Sequence, residues 1–156
     1  MSFLSGLASQ IGSAARASEP VFMPREAPTK EGYLTKRSEW LLDWRRRYFK
    51  LVRNQLFFMR APGGEPHGLI ELRRCLTVKS AEDKTGKLYA FEVATPEQVF
   101  YLHADSEVEK DDWIGKIGKA IVDNSRSQIR DSALADEDDE GEGEDDGGEE
   151  DDGEKR

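Results

Sequence analysis

Residues 31–50, EGYLTKRSEWLLDWRRRYFK, constrain the fold of this 156-residue chain more than any other stretch. Two runs of β-forming residues, the first beginning at Tyr33 and the second at Trp44, flank a short link at 38–43. Two such runs joined by a short link are typical of a β-hairpin. The stretch therefore predicts two adjacent strands, and Trp44 at the start of the second strand is expected in the core.

The hairpin carries basic side chains that are expected to meet at one end. Because side chains alternate between the two faces of a strand, Arg45 and Arg47 are expected on one face and Arg46, as a surface charge, on the other. Lys36, at the end of the facing strand, can converge with Arg45 and Arg47. Guanidinium forks fit phosphate oxygens and an ammonium adds a point charge, so these three residues predict a phosphate site. The alternative is a solvated charged face. Arg37, beside the loop, is counted with these three as a phosphoinositide-binding residue, and it can also meet anionic lipid without specificity.

Three consecutive apolar residues, Trp40, Leu41 and Leu42, interrupt the polar link between the two strands. One or two of them can fold back onto the domain. The other interpretation is that the loop inserts among lipid head groups, because tryptophan favours membrane interfaces and exposed apolar side chains need a partner. We expect at least one of the three to insert.

Five further short β segments follow the hairpin, at 55–60, 69–72, 76–79, 88–94 and 98–103. Seven short strands at even spacing predict a mainly-β fold, an antiparallel sandwich or barrel. The apolar period then becomes helical, and Ser106 with Glu109 forms a capping box at the start of a C-terminal helix. Trp113 and Ile117 lie on the apolar stripe of that helix, which is expected to cap an open end of the barrel with Trp113 as its plug.

The formal net charge of −9 averages two unlike regions of the chain. Residues 131–156 carry fifteen acids and two bases, whereas residues 30–60 carry nine bases and three acids. The low-complexity acidic sequence lacks the apolar residues that folding needs, so residues 125–156 are expected to be a disordered tail. The tail either keeps the chain soluble, or shields the basic face as a tethered anion, or binds a basic protein partner.

Residues 1–28 are expected to form a flexible arm before the domain. Three prolines, at 20, 24 and 28, mark its end as an extended linker. Two glycines weaken a short isolated helix, so a mobile arm is one interpretation of the preceding residues. The other is an amphipathic helix lying in a membrane interface, because apolar residues recur at helical spacing opposite a Ser/Gly face; these are Phe3, Leu4, Leu7, Ala8, Ile11 and Ala15.

The sequence contains no motif of an enzyme, a cofactor site or a metal site. His67 and His103 lack metal-ligand spacing and are expected to be structural, although His67 in its loop can touch a ligand; Cys75 stands alone. The aromatic residues are placed for a core rather than as a platform for nucleic acid. No segment approaches the roughly 20 apolar residues that cross a bilayer, and no secretory signal is present, so a cytosolic monomer with peripheral membrane contact is expected.

The strand count, the terminal helix with its tryptophan and the opening motif together resemble a pleckstrin homology domain over residues 29–124. The short stretches CLTVKSAED at 75–83 and NSRS at 124–127 are similar, more narrowly, to the small stand-alone pleckstrin homology proteins of plants and green algae. The residues that carry the wider resemblance are Gly32, Tyr33, Leu34, Lys36, Trp44, Arg45, Arg47, Tyr48, Phe49 and Trp113.

This resemblance implies a phosphoinositide-binding protein recruited to endosomal or plasma membranes. In lipid-binding members, one lysine late in the first strand and two basic residues early in the second hold the inositol phosphates; here they are Lys36, Arg45 and Arg47. Glu39 and Asp43 stand where tight-binding members carry further bases, which weighs against tight recognition of a triply phosphorylated head group. The narrower resemblance implies a monophosphorylated lipid on endosomes. A protein-interaction adaptor with the same fold and no specific lipid binding is the alternative function.

Overall fold

The structure is a computed structural model that describes residues 20–135. The predicted membrane helix of the N-terminal arm and the acidic residues 136–156 lie outside the described residues. No helix between Pro20 and Ala135 is both long enough and apolar enough to span a bilayer.

Seven antiparallel strands form one sheet, which confirms the predicted mainly-β fold. They are β1 (Lys30–Arg37), β2 (Trp44–Val52), β3 (Gln55–Met59), β4 (Gly68–Glu71), β5 (Thr77–Ser80), β6 (Ala90–Ala94) and β7 (Val99–His103). Their spatial order is β4-β3-β2-β1-β7-β6-β5. The two meanders therefore meet where β1 pairs with β7, with Lys36 opposite Leu102. This pairing places the predicted cationic end of the hairpin in the middle of the sheet.

The main core is built from alternate residues of the strands, because successive side chains of a strand point to opposite faces. Leu34 of β1, Phe49 of β2 and Leu102 of β7 are all fully buried in it. Trp44 does not join them: it is half-buried and its ring lies 5.1 Å from that of His103. The expectation that Trp44 is a core residue is therefore wrong, and the alternation of β2 places Phe49 in the core.

A C-terminal helix, α2 (Glu107–Ala135), packs against the core, as predicted; the one-turn helix α1 (Glu82–Thr85) precedes it in the chain. The Glu109 N–H donates to Ser106 Oγ at 3.2 Å, so the predicted N-terminal cap is present. Trp113 is fully buried, with its ring 6.5 Å from that of Phe49. The helix lies between β5 and the 3-10 turn at Leu72–Arg74, the side on which β4 and β5 are not paired.

The predicted boundary between the domain and the tail is wrong for residues 125–135. Disorder was expected from Ser125, but α2 continues without a break to Ala135. No glycine or proline interrupts residues 119–140, and such residues are what most often end a helix. Hydroxyls along this extension are satisfied within the helix: Ser125 Oγ donates to the Ile121 carbonyl at 3.0 Å and Ser127 Oγ to that of Asp123 at 3.1 Å.

The predicted strand at 88–94 begins two residues late, at Ala90. Tyr89 adopts a left-handed φ of 61°, which an extended strand cannot contain. Leu88 is consequently left exposed at the end of the segment that follows α1. The alternation of hydrophobic residues suggested the strand but carried no signal for this backbone turn.

The last part of the N-terminal arm is folded against the domain, which corrects the expectation of a flexible arm for residues 20–28. Val21 and Met23 pack on the outer face of the sheet, and Glu26 pairs with Arg53 at 2.7 Å. Because side chains of β3 alternate between the two faces, some of its apolar residues point to this outer face. The arm shields these apolar side chains from water. The residues covered are Val52, Phe57 and Met59.

Candidate phosphate-binding site

The register of the β1–β2 hairpin brings the three predicted phosphate-binding residues together. Lys36 lies directly opposite Arg45, and Leu34 lies opposite Arg47. The side chains of Lys36, Arg45 and Arg47 line a single cavity of about 320 Å³. The prediction that these three side chains meet at one concavity is therefore confirmed as geometry. The full lining consists of Lys36, Ser38, Glu39, Trp40, Arg45, Arg47, Phe58 and His67.

A second cavity, of about 660 Å³, adjoins the first along Arg45 and Arg47. It extends the cationic surface toward Arg60 at the end of β3, and Pro20 of the N-terminal arm forms part of its wall. The first cavity together with this extension is called the cationic cleft below. The second cavity is lined by Pro20, Arg45, Arg47, Arg60, Ala61, Gly64, Glu65, Pro66 and His67.

Lys36 is a half-buried cation of the cationic cleft. Its Nζ lies 5.2 Å from the ring centre of Phe58 and 5.7 Å from that of Phe100. Burial lowers the pKa of this ammonium from its ordinary value; Glu39 opposes the shift and the charge of Arg47 adds to it. An anion in the cleft removes this penalty, because an opposite charge favours the charged form of a lysine.

The two arginines of the cleft are held in different ways. Arg45 Nε donates to Asp43 Oδ2 at 2.9 Å, whereas Arg47 Nη1 donates to the carbonyl of Arg46 at 2.8 Å. Hydrogen bonds from Ser38 and Arg45 lower the pKa of Asp43, which keeps that carboxylate charged. Among the residues that the structure describes, neither Lys36 nor Arg47 forms an ion pair with an acid. These two cations are therefore ready to bind a phosphate, and Arg45 must first exchange a solvent-exposed partner.

Arg46 points to the opposite face of β2, as predicted from strand alternation. Its guanidinium binds both carboxylate oxygens of Asp105, at 2.9 and 3.0 Å, and lies 4.6 Å from the ring centre of Tyr33. The Asp105 hydrogen bonds raise the pKa of Arg46 and lower that of Asp105. Arg46 thus stabilises the fold through Asp105, whereas its neighbours Arg45 and Arg47 line the cleft.

Arg37 does not reach the cationic cleft. Its guanidinium stacks 4.3 Å from the ring centre of Tyr101, and it lines a separate cavity of about 250 Å³ on the other side of β1. The structure therefore separates Arg37 from the three convergent cations, because it follows Lys36 directly and strand alternation turns it to the opposite face.

The link between β1 and β2 presents all three of its apolar side chains to solvent. Trp40 is 92% exposed, Leu41 70% and Leu42 62%. The Ser38 N–H donates to the Asp43 carbonyl at 2.8 Å, and the Leu41 N–H donates to Ser38 Oγ at 3.2 Å. These bonds close the base of the loop and leave its apolar tip without contacts that would fold it back.

The sequence did not predict Phe58 at the floor of the cleft, and it indicated only weakly that His67, at the far wall, can touch a ligand. Phe58 lines its base, and His67 meets that ring edge to face with 5.2 Å between centroids. The signal was weak, because both residues lie outside the hairpin, and β4 brings them close only by pairing Gly68 with Phe58. Arg60, which follows β3, was likewise not singled out.

Another open cavity, of about 500 Å³, lies between α2 and the turn that joins β2 to β3. It is also lined by basic residues, but each forms an ion pair of its own: Arg53 with Glu26, Arg73 with Glu71, Lys116 with Asp112 and Lys119 with Asp123. This cavity therefore carries less available positive charge than the cationic cleft.

Comparison with known proteins gives consistent results over the same residues. A family model described as PH domain matches residues 28–122. The chain is similar to "Pleckstrin homology domain-containing protein 1" of Arabidopsis thaliana, with 40% identity over 117 residues that span 71% of this chain and 80% of that protein. It is also similar to the human "Dual adapter for phosphotyrosine and 3-phosphotyrosine and 3-phosphoinositide", with 37% identity over 102 residues, 65% of this chain but only 36% of that protein.

Among solved structures, the C-terminal PH domain of pleckstrin in complex with D-myo-Ins(1,2,3,4,5)P5 is similar throughout its length. The two chains share 31% identity with a TM-score of 0.53, covering 60% of this chain and 98% of that one.

Proposed function

This chain belongs to the PH domain family. We propose that it is a monomeric, phosphoinositide-binding module that binds peripherally to membranes. The observation that carries the proposal is the convergence of Lys36, Arg45 and Arg47 on one cavity. Two of the similar proteins add support, since one is named for a 3-phosphoinositide and the other is bound to an inositol phosphate. The site of action is the cytoplasmic surface of endosomes or of the plasma membrane.

Capture of the head group rests on charge-assisted hydrogen bonds from the cleft. Lys36 and Arg47 supply donors that no acid among the described residues neutralises, and Arg45 releases Asp43 for a phosphate. That release costs little, because an exposed ion pair of this kind is weakened by the surrounding water. Glu39 lines the same cavity and repels additional phosphates, which favours a head group with few of them, such as a monophosphorylated lipid.

The apolar loop adds a second, non-electrostatic contribution to membrane binding. Trp40 and Leu41 project from the rim of the cleft, so a head group bound there brings them to the bilayer surface. Burying one such side chain contributes roughly 1.5–3 kcal/mol, which is comparable to a good phosphate contact. Arg37, on the other side of the loop base, then meets anionic lipids without specificity.

Vesicle binding with charge-matched membranes tests the proposal. Wild type is compared on phosphatidylcholine vesicles that contain either phosphatidylserine or one phosphoinositide at equal total charge. Arg45→Ala/Arg47→Ala should weaken phosphoinositide binding by more than about tenfold, while Arg46→Ala should stay within about twofold because its side chain faces Asp105. If wild type prefers no phosphoinositide over the charge-matched phosphatidylserine membrane, the proposal fails and a protein-interaction adaptor becomes the better account.

A further inference from the structure

His67 stands where the two halves of the cationic cleft meet. It lines both cavities, and its ring is perpendicular to that of Phe58, with an interplanar angle of 89°. Its backbone N–H donates to the Phe58 carbonyl at 3.1 Å, which fixes the chain at this point beside β3. The imidazole is therefore positioned at the wall of the site by backbone and ring contacts, while the residue itself remains exposed to solvent.

The charged groups that face His67 come from every element around the cleft. Lys36 of β1 and Arg47 of β2 stand on one side, and Arg60 after β3 on the other. Arg45 of β2 lines both cavities as a fourth cation, and the acids are Glu39 in the β1–β2 loop and Glu65 in the loop of His67 itself. Partial burial of the ring, followed by the charges of Arg47, Arg60 and Lys36, lowers the pKa of His67 from its ordinary value near 6.5.

We propose that His67 is a phosphate-binding residue of this site and couples head-group binding to pH, with tighter binding in mildly acidic surroundings. The inference rests on the proposed function and deepens it, because it names a regulator of the same site. In the empty cleft the imidazole is neutral at pH 7, since a further positive charge among four cations is unfavourable. A bound phosphate reverses that balance, and the protonated ring then offers an additional charged donor.

The direction of the effect follows from linkage. The pKa of His67 is lowered in the free protein and raised in the complex, so binding takes up a proton. The added affinity is present below the pKa of the free protein and is lost as the pH rises through the pKa of the complex. Each unit by which the two values differ corresponds to about a tenfold change in affinity across that window. A phosphate monoester itself loses charge below about pH 6, which acts in the opposite direction.

Because the lipid phosphate also titrates, the histidine contribution must be isolated by substitution. The chain has two histidines, and His103 provides a matched control because it packs on the Trp44 ring and lines neither half of the cleft. His67→Gln retains a polar side chain of similar size and removes the titration together with the ring contact to Phe58. His67 is exposed, so the replacement should leave thermal unfolding unchanged.

The experiment measures binding of wild type, His67→Gln and His103→Gln to phosphatidylcholine vesicles containing phosphatidylinositol 3-phosphate, between about pH 5.5 and pH 7.5. Wild type and His103→Gln should bind about three- to tenfold more tightly at the acidic end than His67→Gln does, with the difference vanishing at the alkaline end. Titration of the His67 ring by NMR should show a pKa that rises when soluble inositol 1,3-bisphosphate is added.

Two outcomes overturn this inference while leaving the proposed function in place: His67→Gln keeps the pH slope of wild type, or the bisphosphate leaves the His67 titration unmoved. A different result, no preference for phosphatidylinositol 3-phosphate or any other phosphoinositide at either pH, overturns both. Vesicles with phosphatidylserine alone serve as the reference, and on them the three proteins should show the same pH dependence.

Discussion

Arg46 and Asp105 form a two-pronged hydrogen-bonded pair that ties β2 to the segment leading into α2. The pair lies on the face of β2 opposite the cationic cleft, although Arg46 is flanked in sequence by two residues of that cleft. Strand alternation thus places Arg45 and Arg47 in the cleft and Arg46 in a contact that stabilises the fold.

We expect this pair to stabilise the fold modestly and to leave ligand binding unaffected. Arg46→Gln and Asp105→Asn should each lower the free energy of unfolding by at most about 1 kcal/mol, because both side chains are half exposed to water. A double-mutant cycle by chemical denaturation measures the coupling. Since the pKa of Asp105 is lowered in the folded state, the coupling should be present above about pH 4 and be lost as the pH falls further. A pair that contributes equally at pH 3 and pH 6 would contradict this account.

Gly68 should be intolerant of any side chain, because the floor of the cleft occupies the space. A Cβ added at Gly68 would lie 1.9 Å from Cζ of Phe58, so that ring would have to move. Gly68→Ala should cost about 1–3 kcal/mol of stability, as overpacked sites do, and should also weaken inositol phosphate binding. Calorimetry on the folded variant with a soluble inositol phosphate measures the second effect.

Gly115→Ala provides the control for Gly68→Ala. Its added Cβ would meet no atom within 4 Å, and the residue lies inside α2. Alanine favours a helix over glycine by roughly 0.5–1 kcal/mol, so this variant should be neutral or more stable. Equal stability of the two alanine variants would show that Phe58 is free to move, and the rigid floor described above would be wrong.

The exposed loop tip should matter more for membranes than for soluble head groups. Trp40→Ala/Leu41→Ala removes side chains that contact little within the described structure, so thermal stability should not change. Vesicle affinity should fall by more than about tenfold, since the lost insertion is worth a few kcal/mol. Binding of a soluble inositol phosphate should fall much less, because Trp40 stands only at the rim of the cleft.

Ile129→Ala is the matched control for the loop, because Ile129 is 67% exposed on the far part of α2. Its vesicle affinity should equal that of wild type. If the loop variant and the control behave alike on vesicles, the loop does not enter the bilayer.

Removal of residues 136–156 should strengthen vesicle binding at low salt if the acidic tail competes for the cationic cleft. This segment has fourteen acids and two bases, and a tethered anion acts at an effective concentration near millimolar. The cut belongs after Ala135, so that α2 is left intact. An increase of severalfold at low salt should disappear when salt screens the charges over less than about 8 Å. Unchanged binding at low salt would mean that the tail does not compete for the cleft, and that it instead keeps the chain soluble or binds a basic protein partner.

Distance limits how strongly the tail can compete. The amides of Asn54 and Asn124 are 3.2 Å apart, which pins α2 to the turn at the end of β2. Arg45 lies near the other end of that strand, seven residues and therefore about 23 Å away. The tail must cover at least such a span from α2, so a moderate rather than a complete inhibition is expected.

The sequence predicted the part of the site that lies within one hairpin. Strand alternation is a local property, so it assigned Arg45 and Arg47 to one face and Arg46 to the other without knowledge of the remaining fold. The burial of Trp113 could also be predicted from the sequence, because its helix shows a continuous apolar stripe. The separation of Arg37 from Lys36 follows from the same alternation and was not drawn from the sequence.

Features that depend on contacts between distant segments could not be predicted in this way. Phe58 and His67 meet only through the pairing of β3 with β4, and the arm residues Val21 and Met23 find the outer face of β3 only in the folded chain. The extension of α2 differs from the prediction for another reason: the acidic composition after Ala135 indicates disorder but does not mark the residue at which the helix ends.

The two ends of the described chain leave the domain at different places, and this affects how the protein should be observed in cells. Pro20 forms part of the wall of the cleft that receives the lipid, whereas α2 is held at the opposite end of β2. A fluorescent protein attached directly before Pro20 is tethered to the surface that must approach the bilayer, and its bulk opposes that approach. A fluorescent protein attached directly after Ala135 follows α2, which is held at the opposite end of β2 from the cleft, so this second arrangement hinders membrane binding less.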